Sequence, residues 1–135
     1  MLRRLARSLG RVLALGALLM VLGLSLAACG ETASGLTGRY LDDTQTVAQA
    51  LQQTLAGAAD APDQAGTRAL INDYVALYRP NASVNGLGSF TTMQTALNAL
   101  AGHYANYANR PLPDALRQRI EKELQQAERN ASRGA

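Results

Sequence analysis

One segment of the chain carries a strict helical repeat of apolar residues. Its apolar positions alternate spacings of three and four, at Phe90, Met93, Leu97, Leu100, Tyr104 and Tyr107. Spacing of this kind places the side chains in one stripe along a helix, as in the seam of a narrow bundle. Several alanines lie between the seam positions and would let a neighbouring backbone come close. The segment therefore predicts a helix that packs against other helices.

The first and last periodic segments repeat this pattern. The first runs from Tyr40 to Leu55, and Gly57 is expected to mark its end. The last opens at Pro113 and Asp114 and places one apolar stripe along its side, at Leu116, Ile120, Leu124 and Ala127. No stretch of useful length alternates with the period of two that is typical of a strand.

Capping residues predict the boundaries of the two middle helices. Asp60 can accept hydrogen bonds from the free N–H groups at a helix start, and Pro62 suits the first turn. Asp63 favours the positive end of the helix dipole. Pro80 should end this second helix. Ser89 is the expected cap of the third.

Four helices joined by short connections predict an all-α protein, which we expect to be an up-down-up-down four-helix bundle over residues 38–135. We expect residues 127–135 to fray. The chain has no tryptophan and one phenylalanine, so its five tyrosines should supply most of the aromatic packing.

The first 28 residues have the parts of an export signal. A basic segment at 3–11 precedes the apolar run 12–28, which ends in small residues. Leu26-Ala27-Ala28-Cys29 then matches a bacterial lipobox, so we predict cleavage before Cys29 and attachment of lipid to its thiol. Residues 29–37 would form a lipidated flexible tether to the membrane. An ordinary secretory signal and an uncleaved membrane anchor are the alternatives.

Charge argues against a nucleic-acid partner. Four of the 13 basic residues lie in the leader, and nine basic and ten acidic residues follow Cys29, a net charge of −1. The later sequence has no basic patch with interleaved aromatic residues. We therefore expect no binding to DNA or RNA.

Residues with catalytic or metal-binding chemistry are sparse. His103 is the only histidine and Cys29 the only cysteine, and the acids do not follow a calcium-loop spacing. We expect no catalytic site, no metal and no cofactor. His103 is interpreted as a rim histidine bonded to a backbone carbonyl or an acid, with a pH-responsive role as the alternative. Function should then reside in a surface, with the polar loops at one end of the bundle carrying it.

A long stretch of the sequence identifies a family. Residues 83–113, "SVNGLGSFTTMQTALNALAGHYANYANRPLP", together with "LTGRYLDDT" at 36–44 and "INDYVALYR" at 71–79, closely resemble the photosystem II assembly and repair lipoproteins of cyanobacteria, the Psb27 family. The resemblance covers nearly the whole chain after Cys29.

The resemblance implies a lipid-anchored four-helix bundle at the lumenal face of the thylakoid membrane. Such a protein binds immature photosystem II, chiefly a lumenal loop of a chlorophyll-binding inner antenna subunit. It keeps the extrinsic proteins away while the manganese cluster is assembled, and it leaves the mature complex. It is not an enzyme, needs no cofactor, and is expected to be a monomer. A lipid-anchored carrier of a metal or small molecule is the alternative function.

The resemblance also suggests residues that contact the partner. The candidates are Arg79, Asn85, Thr91, Thr92, His103 and Arg110, and Val84, Gly86, Ser89 and Pro111 are family-like positions also expected to be exposed. Arg79 and Arg110 suit an acidic loop because a guanidinium can bind a carboxylate through two bonds. Pro80-Asn81 departs from the family pattern, in which a basic residue and an acid are expected.

Overall fold

The structure is a computed structural model that describes residues 33–135. These residues form four helices and no strand: α1 (Tyr40–Ala56), α2 (Gln64–Tyr78), α3 (Gly88–Asn106) and α4 (Asp114–Ser132). The all-α prediction is confirmed. Cys29 and the predicted signal peptide at 1–28 lie outside the described residues.

Each helix packs against the helix that follows it, and α4 returns to pack on α1, which confirms the up-down-up-down bundle. The contact between α3 and α4 is the most extensive. The core takes apolar side chains from all four helices, with Leu51, Tyr74, Phe90, Met93, Leu97, Leu100, Ile120 and Leu124 among its buried members. Within 33–135, no helix has the length and apolarity to cross a membrane.

The ends of α1 and α2 follow capping chemistry. Gly57 adopts φ +70° beyond the end of α1, a left-handed conformation that favours glycine. The predicted cap of α2 was wrong by three positions, because Asp63 and not Asp60 accepts the N–H of Gly66, at 2.7 Å. Helix α2 ends at Tyr78, two residues before Pro80.

The start of α3 differs from its prediction. Leu87 precedes the helix and supplies no side-chain cap. Ser89, the predicted cap, lies in the first turn, is fully buried, and shares a 2.7 Å hydrogen bond with the hydroxyl of Tyr40. The Ser89 hydroxyl therefore joins α3 to α1. At the other end, Tyr107 lies just beyond α3 and is 52% exposed, so the seam stops at Tyr104.

The last residues do not fray as expected. Helix α4 continues to Ser132, and Ala127 and Ala131 are buried. The N–H of Ser89 donates to a main-chain oxygen of Ala135 at 3.1 Å. The C-terminal turn is therefore held against the start of α3.

The residues just before α1 also pack on the bundle. Leu36 is fully buried in the core, and the hydroxyl of Ser34 donates to Asp73 at 2.5 Å. The expectation of a flexible tether up to residue 37 is wrong for these last positions, because an apolar side chain in a glycine-rich stretch can still dock in a core.

Candidate protein-binding surface

The loop between α2 and α3 is a compact, hydrogen-bonded unit. The N–H groups of Val84 and Asn85 donate to the Asn81 carbonyl at 3.0 and 2.9 Å, and the Asn81 side chain accepts from Ser83. Val84 is buried beneath it. The departure from the family pattern at Pro80-Asn81 therefore places a turn-forming asparagine at the centre of this loop.

Four of the six candidate residues lie at this loop. Arg79 ends α2 and is exposed, and Asn85 donates through Nδ2 to the Arg79 carbonyl at 3.3 Å. Thr91 is exposed on the first turn of α3 and donates to the Leu87 carbonyl, whereas Thr92 is half-buried.

The other two candidates lie at the opposite end of the bundle. The Nε2 atom of His103 is 3.0 Å from the carbonyl oxygen of Arg110. Because a carbonyl can only accept, Nε2 carries the proton of this bond. Arg110 is exposed, and its guanidinium lies 6.0 Å from the centre of the Tyr107 ring.

The six candidates therefore form two groups. Twelve residues of helix between Thr91 and His103 correspond to about 18 Å at ~1.5 Å per residue. His103 is 7% exposed and bonded to a carbonyl, which confirms the interpretation as a structural rim histidine and corrects its expected exposure. Val84 and Ser89 were also expected at the surface and are buried.

Beneath the first group lies a buried carboxylate that the sequence analysis did not single out. One oxygen of Asp43 accepts from the N–H and hydroxyl of Thr37, both at 2.8 Å, and the other accepts from the N–H of Gly38 and the hydroxyl of Tyr78. Burial by itself raises the pKa of Asp43, but the hydrogen bonds from Tyr78, Thr37 and Gly38 outweigh it and hold the pKa below its ordinary value of 3.8.

Tyrosine hydroxyls extend this network through the core. Tyr74 bonds to Thr44 at 2.8 Å, and burial raises its pKa. Burial, with the neighbouring Asp43 carboxylate, likewise raises the pKa of Tyr78. The Tyr78 ring packs edge-on against Tyr40, at 5.3 Å between ring centres. Tyr78 thus donates to Asp43 and Tyr74 pairs with Thr44, both near the start of α1, while the Tyr40 hydroxyl links α1 to the start of α3.

The structure shows a second arginine beside α3 that the sequence analysis missed. Arg68, on α2, donates through Nη2 to the carbonyl oxygen of Tyr104 at 2.6 Å. It lies eleven residues before Arg79, close to three helical turns, so both arginines lie on one face of α2. That spacing was visible in the sequence and would have identified the pair.

Side chains suited to a metal do not converge in this part of the chain. Across residues 33–135, no three His, Cys, Asp or Glu side chains come together in a way that could hold an ion. Surface depressions of this part lie between α1 and α4, between α2 and α3, and along α2, and they are lined chiefly by glutamine, alanine, asparagine and arginine.

Comparison with known proteins gives a consistent result. A family model described as Photosystem II Pbs27 matches residues 5–130. The chain is 45% identical over 134 residues to "Photosystem II lipoprotein Psb27" of a Synechocystis strain, covering 96% of this chain and 97% of that protein. It is 44% identical over 116 residues to "Photosystem II assembly factor lipoprotein Psb27" of Thermosynechococcus vestitus, covering 83% of this chain and 87% of that protein.

More distant and structural relatives agree. "Photosystem II repair protein PSB27-H1, chloroplastic" of Arabidopsis thaliana is 33% identical over 100 residues, covering 70% of this chain and 58% of that protein. The solution structure of Psb27 from cyanobacterial photosystem II superposes with a TM-score of 0.69 at 46% identity, covering 80% of this chain and 96% of that one. Family model, sequence relatives and fold together show that this chain belongs to the Psb27 family of photosystem II proteins.

Proposed function

We propose that this protein is a non-enzymatic assembly and repair factor of photosystem II. The observation that carries the proposal is the 45% identity to a photosystem II lipoprotein over 96% of the chain. One relative is named as an assembly factor of photosystem II and another as a photosystem II repair protein.

The partner is immature photosystem II, bound on its lumenal side through a loop of a chlorophyll-binding inner antenna subunit. Occupying that loop would keep the extrinsic proteins away until the manganese cluster is assembled. A small bundle with rigid loops suits such a role, because a preorganised surface loses little conformational entropy on binding. The hydrogen-bonded loop of residues 79–87 is such a surface.

A lipid on Cys29 would hold the protein at the lumenal face of the thylakoid membrane. Confinement of this kind raises the effective concentration of the bundle for partners in the same membrane without adding any contact. A polar interface of low to standard size, about 1,200–1,600 Å² in total, would then be occupied and still release.

Purification of the tagged full-length protein from cyanobacterial thylakoid membranes tests the proposal. We expect recovery of photosystem II that lacks the extrinsic proteins and does not evolve oxygen. Recovery of only finished complex, or of no photosystem II, would contradict the proposal. Calorimetry with Mn²⁺ and Ca²⁺ on the purified protein without photosystem II checks the carrier alternative, which tight binding would support.

A further inference from the structure

A shallow groove of about 440 Å³ runs between α2 and α3. Its walls are short or apolar side chains from both helices, namely Ile71, Asn72, Val75, Ala76, Asn98 and Ala101. Asn72 and Asn98 are exposed and present amide groups to solvent. The groove therefore offers contact area and side-chain hydrogen bonds without bulky residues in the way.

At each end of the groove, an arginine reaches across from the α2 side to α3. Arg68, one helical turn before Asn72, reaches across to the carbonyl oxygen of Tyr104 at 2.6 Å. Arg79 reaches across to Gln94, whose amide oxygen, in the orientation that satisfies both groups, lies 2.9 Å from Nη2 and 3.3 Å from Nε. Both guanidinium groups are bonded to neutral acceptors, so neither positive charge is neutralised.

The charge around the groove is of one sign. The sequence has no Asp, Glu, Lys or Arg from residue 80 to residue 109, so α3 contributes no formal charge apart from any on His103. The groove has no carboxylate in its lining. Two acids lie near the arginines on α2, but neither lines the groove. Asp63 caps α2 and lines the adjacent depression with Arg68, and Asp73 accepts a hydrogen bond from Ser34. By contrast, α4 carries acids and bases along its length.

We propose that this groove binds an extended, acidic segment of a partner protein. Arg68 and Arg79 are eleven residues apart, or about 16 Å at ~1.5 Å per residue. An extended chain covers that distance in about five residues at ~3.3 Å each. The occupant is therefore a segment with two carboxylates roughly five residues apart, each bound by one arginine.

The uncharged centre of the groove, with an arginine at each end, favours an acidic segment over a basic or a strongly apolar one. Interface centres are generally depleted of charged residues, and arginine is enriched in them. A carboxylate can pair with guanidinium N–H groups that the present neutral partners leave free, because each guanidinium has five donors. A basic segment would meet two positive charges with no acid to compensate.

Photocrosslinking on the full-length protein in thylakoid membranes tests this inference. A benzoyl-phenylalanine replaces Asn72 at the groove, and in a matched protein it replaces Gln49, which lines the groove between α1 and α4 on the other side of the bundle. We expect the Asn72 probe to capture a segment with two carboxylates about five residues apart. Mass spectrometry of the crosslinked peptide identifies the segment.

Charge-removing variants make the test specific. Arg68→Gln combined with Arg79→Gln should lower the Asn72 crosslink about tenfold or more, as expected for loss of two charged contacts. Arg129→Gln removes the same charge on α4 beside the other groove and should leave the crosslink unchanged. Thermal unfolding of each variant checks that the bundle remains folded. Single variants replace the double variant if it does not.

The inference rests on the proposed function only for the identity of the partner. Capture from Gln49 alone, capture of a segment without carboxylates, no capture, or capture that survives the arginine substitutions would overturn it. If photosystem II still copurifies in those cases, the proposed function stands without the groove. If the captured acidic segment belongs to another protein, the groove stands and the proposed function fails.

Discussion

The two ends of the bundle are built differently. At the proximal end, where α1 and α3 begin, Thr37, Gly38 and the first three helices contribute to a network around the buried Asp43 carboxylate and three tyrosine hydroxyls. The N–H of Ser89 also donates to Ala135 there, and the 79–87 loop is held by its own hydrogen bonds. At the distal end, residues 107–113 are mostly exposed, and Asn109 adopts φ +64°, unusual for a residue other than glycine. One His103 bond to a carbonyl ties this loop to α3.

The difference shows that buried polar groups fix the arrangement of segments in a small bundle, whereas an exposed loop leaves side chains in solvent. The proximal network fixes one arrangement of several segments, because each buried donor and acceptor has a partner only in that arrangement. The distal loop makes few such bonds and leaves an aromatic ring and an arginine in solvent. We expect substitutions at the proximal end to affect stability more strongly, and the following measurements test that ranking.

Asp43→Ala should have the largest effect. It leaves the Tyr78 hydroxyl and the N–H groups of Thr37 and Gly38 without their acceptor, so the free energy of unfolding should fall by about 3 kcal/mol. Urea denaturation measures it. Asp42→Ala is the control, because that exposed carboxylate pairs only with Arg39 and should cost less than about 0.5 kcal/mol. Equal losses would show that the buried carboxylate stabilises the proximal end no more than an exposed ion pair does.

The same carboxylate should make the protein sensitive to acid. Folding lowers the pKa of Asp43, so its stabilisation is complete above the unfolded-state value of 3.8 and is lost as the pH falls through the lower folded-state value. The free energy of unfolding of wild type should therefore fall more steeply between about pH 5 and pH 2 than that of Asp43→Asn. Parallel curves would show that the buried ionised form is not favoured.

Leu36→Ala tests whether the segment before α1 is part of the core. Removing a fully buried leucine side chain should cost about 2–3 kcal/mol. Leu41→Ala, at a site 40% exposed, should cost well under half of that. A neutral Leu36→Ala would restore the original expectation of a flexible tether.

At the distal end, His103→Ala should cost about 1 kcal/mol, the typical value of one hydrogen bond. Amide hydrogen exchange should increase in residues 107–113 and remain unchanged in the 79–87 loop. Faster exchange at both ends would indicate that the two regions are coupled.

Tyr107→Ala should have the smallest effect. The ring is 52% exposed and its contact with Arg110 is at 6.0 Å, so the loss should lie within about 0.5 kcal/mol. A loss similar to that of His103→Ala in the same urea titration would show that the ring holds the distal loop.

The fold was predictable because helix periodicity is a local signal. The stripe from Phe90 to Tyr104, the glycine after α1 and the proline after α2 each indicate a boundary or a face within a few residues. The proximal network was not predictable from local signals, because Asp43 and its hydrogen-bond donor Tyr78 are 35 residues apart in the sequence. An acid in the first turn of a helix is ordinarily explained by the helix dipole, so its type and position do not indicate that it is buried.

Similar reasons limited the candidate site. Asn85 and Thr91 lie near Arg79 because they follow it closely in the chain. His103 was placed at the rim, but its carbonyl partner lies in a loop whose path the sequence does not specify. The spacing of Arg68 from Arg79 is visible in the sequence, but its bond to α3 is not, because the acceptor is a main-chain oxygen that residue type does not reveal.

The burial of Leu36 bears on how the protein sits at a membrane. With a lipid on Cys29, as proposed, only a few residues would separate the acyl chains from Ser34. This linker would be at most about 17 Å long when fully extended. So short a linker would restrict rotation of the bundle, and the lipid would limit which of its faces can turn toward a partner protein in the membrane. With such a lipid, the docking of Leu36 would limit the orientations that the bundle can adopt above the bilayer.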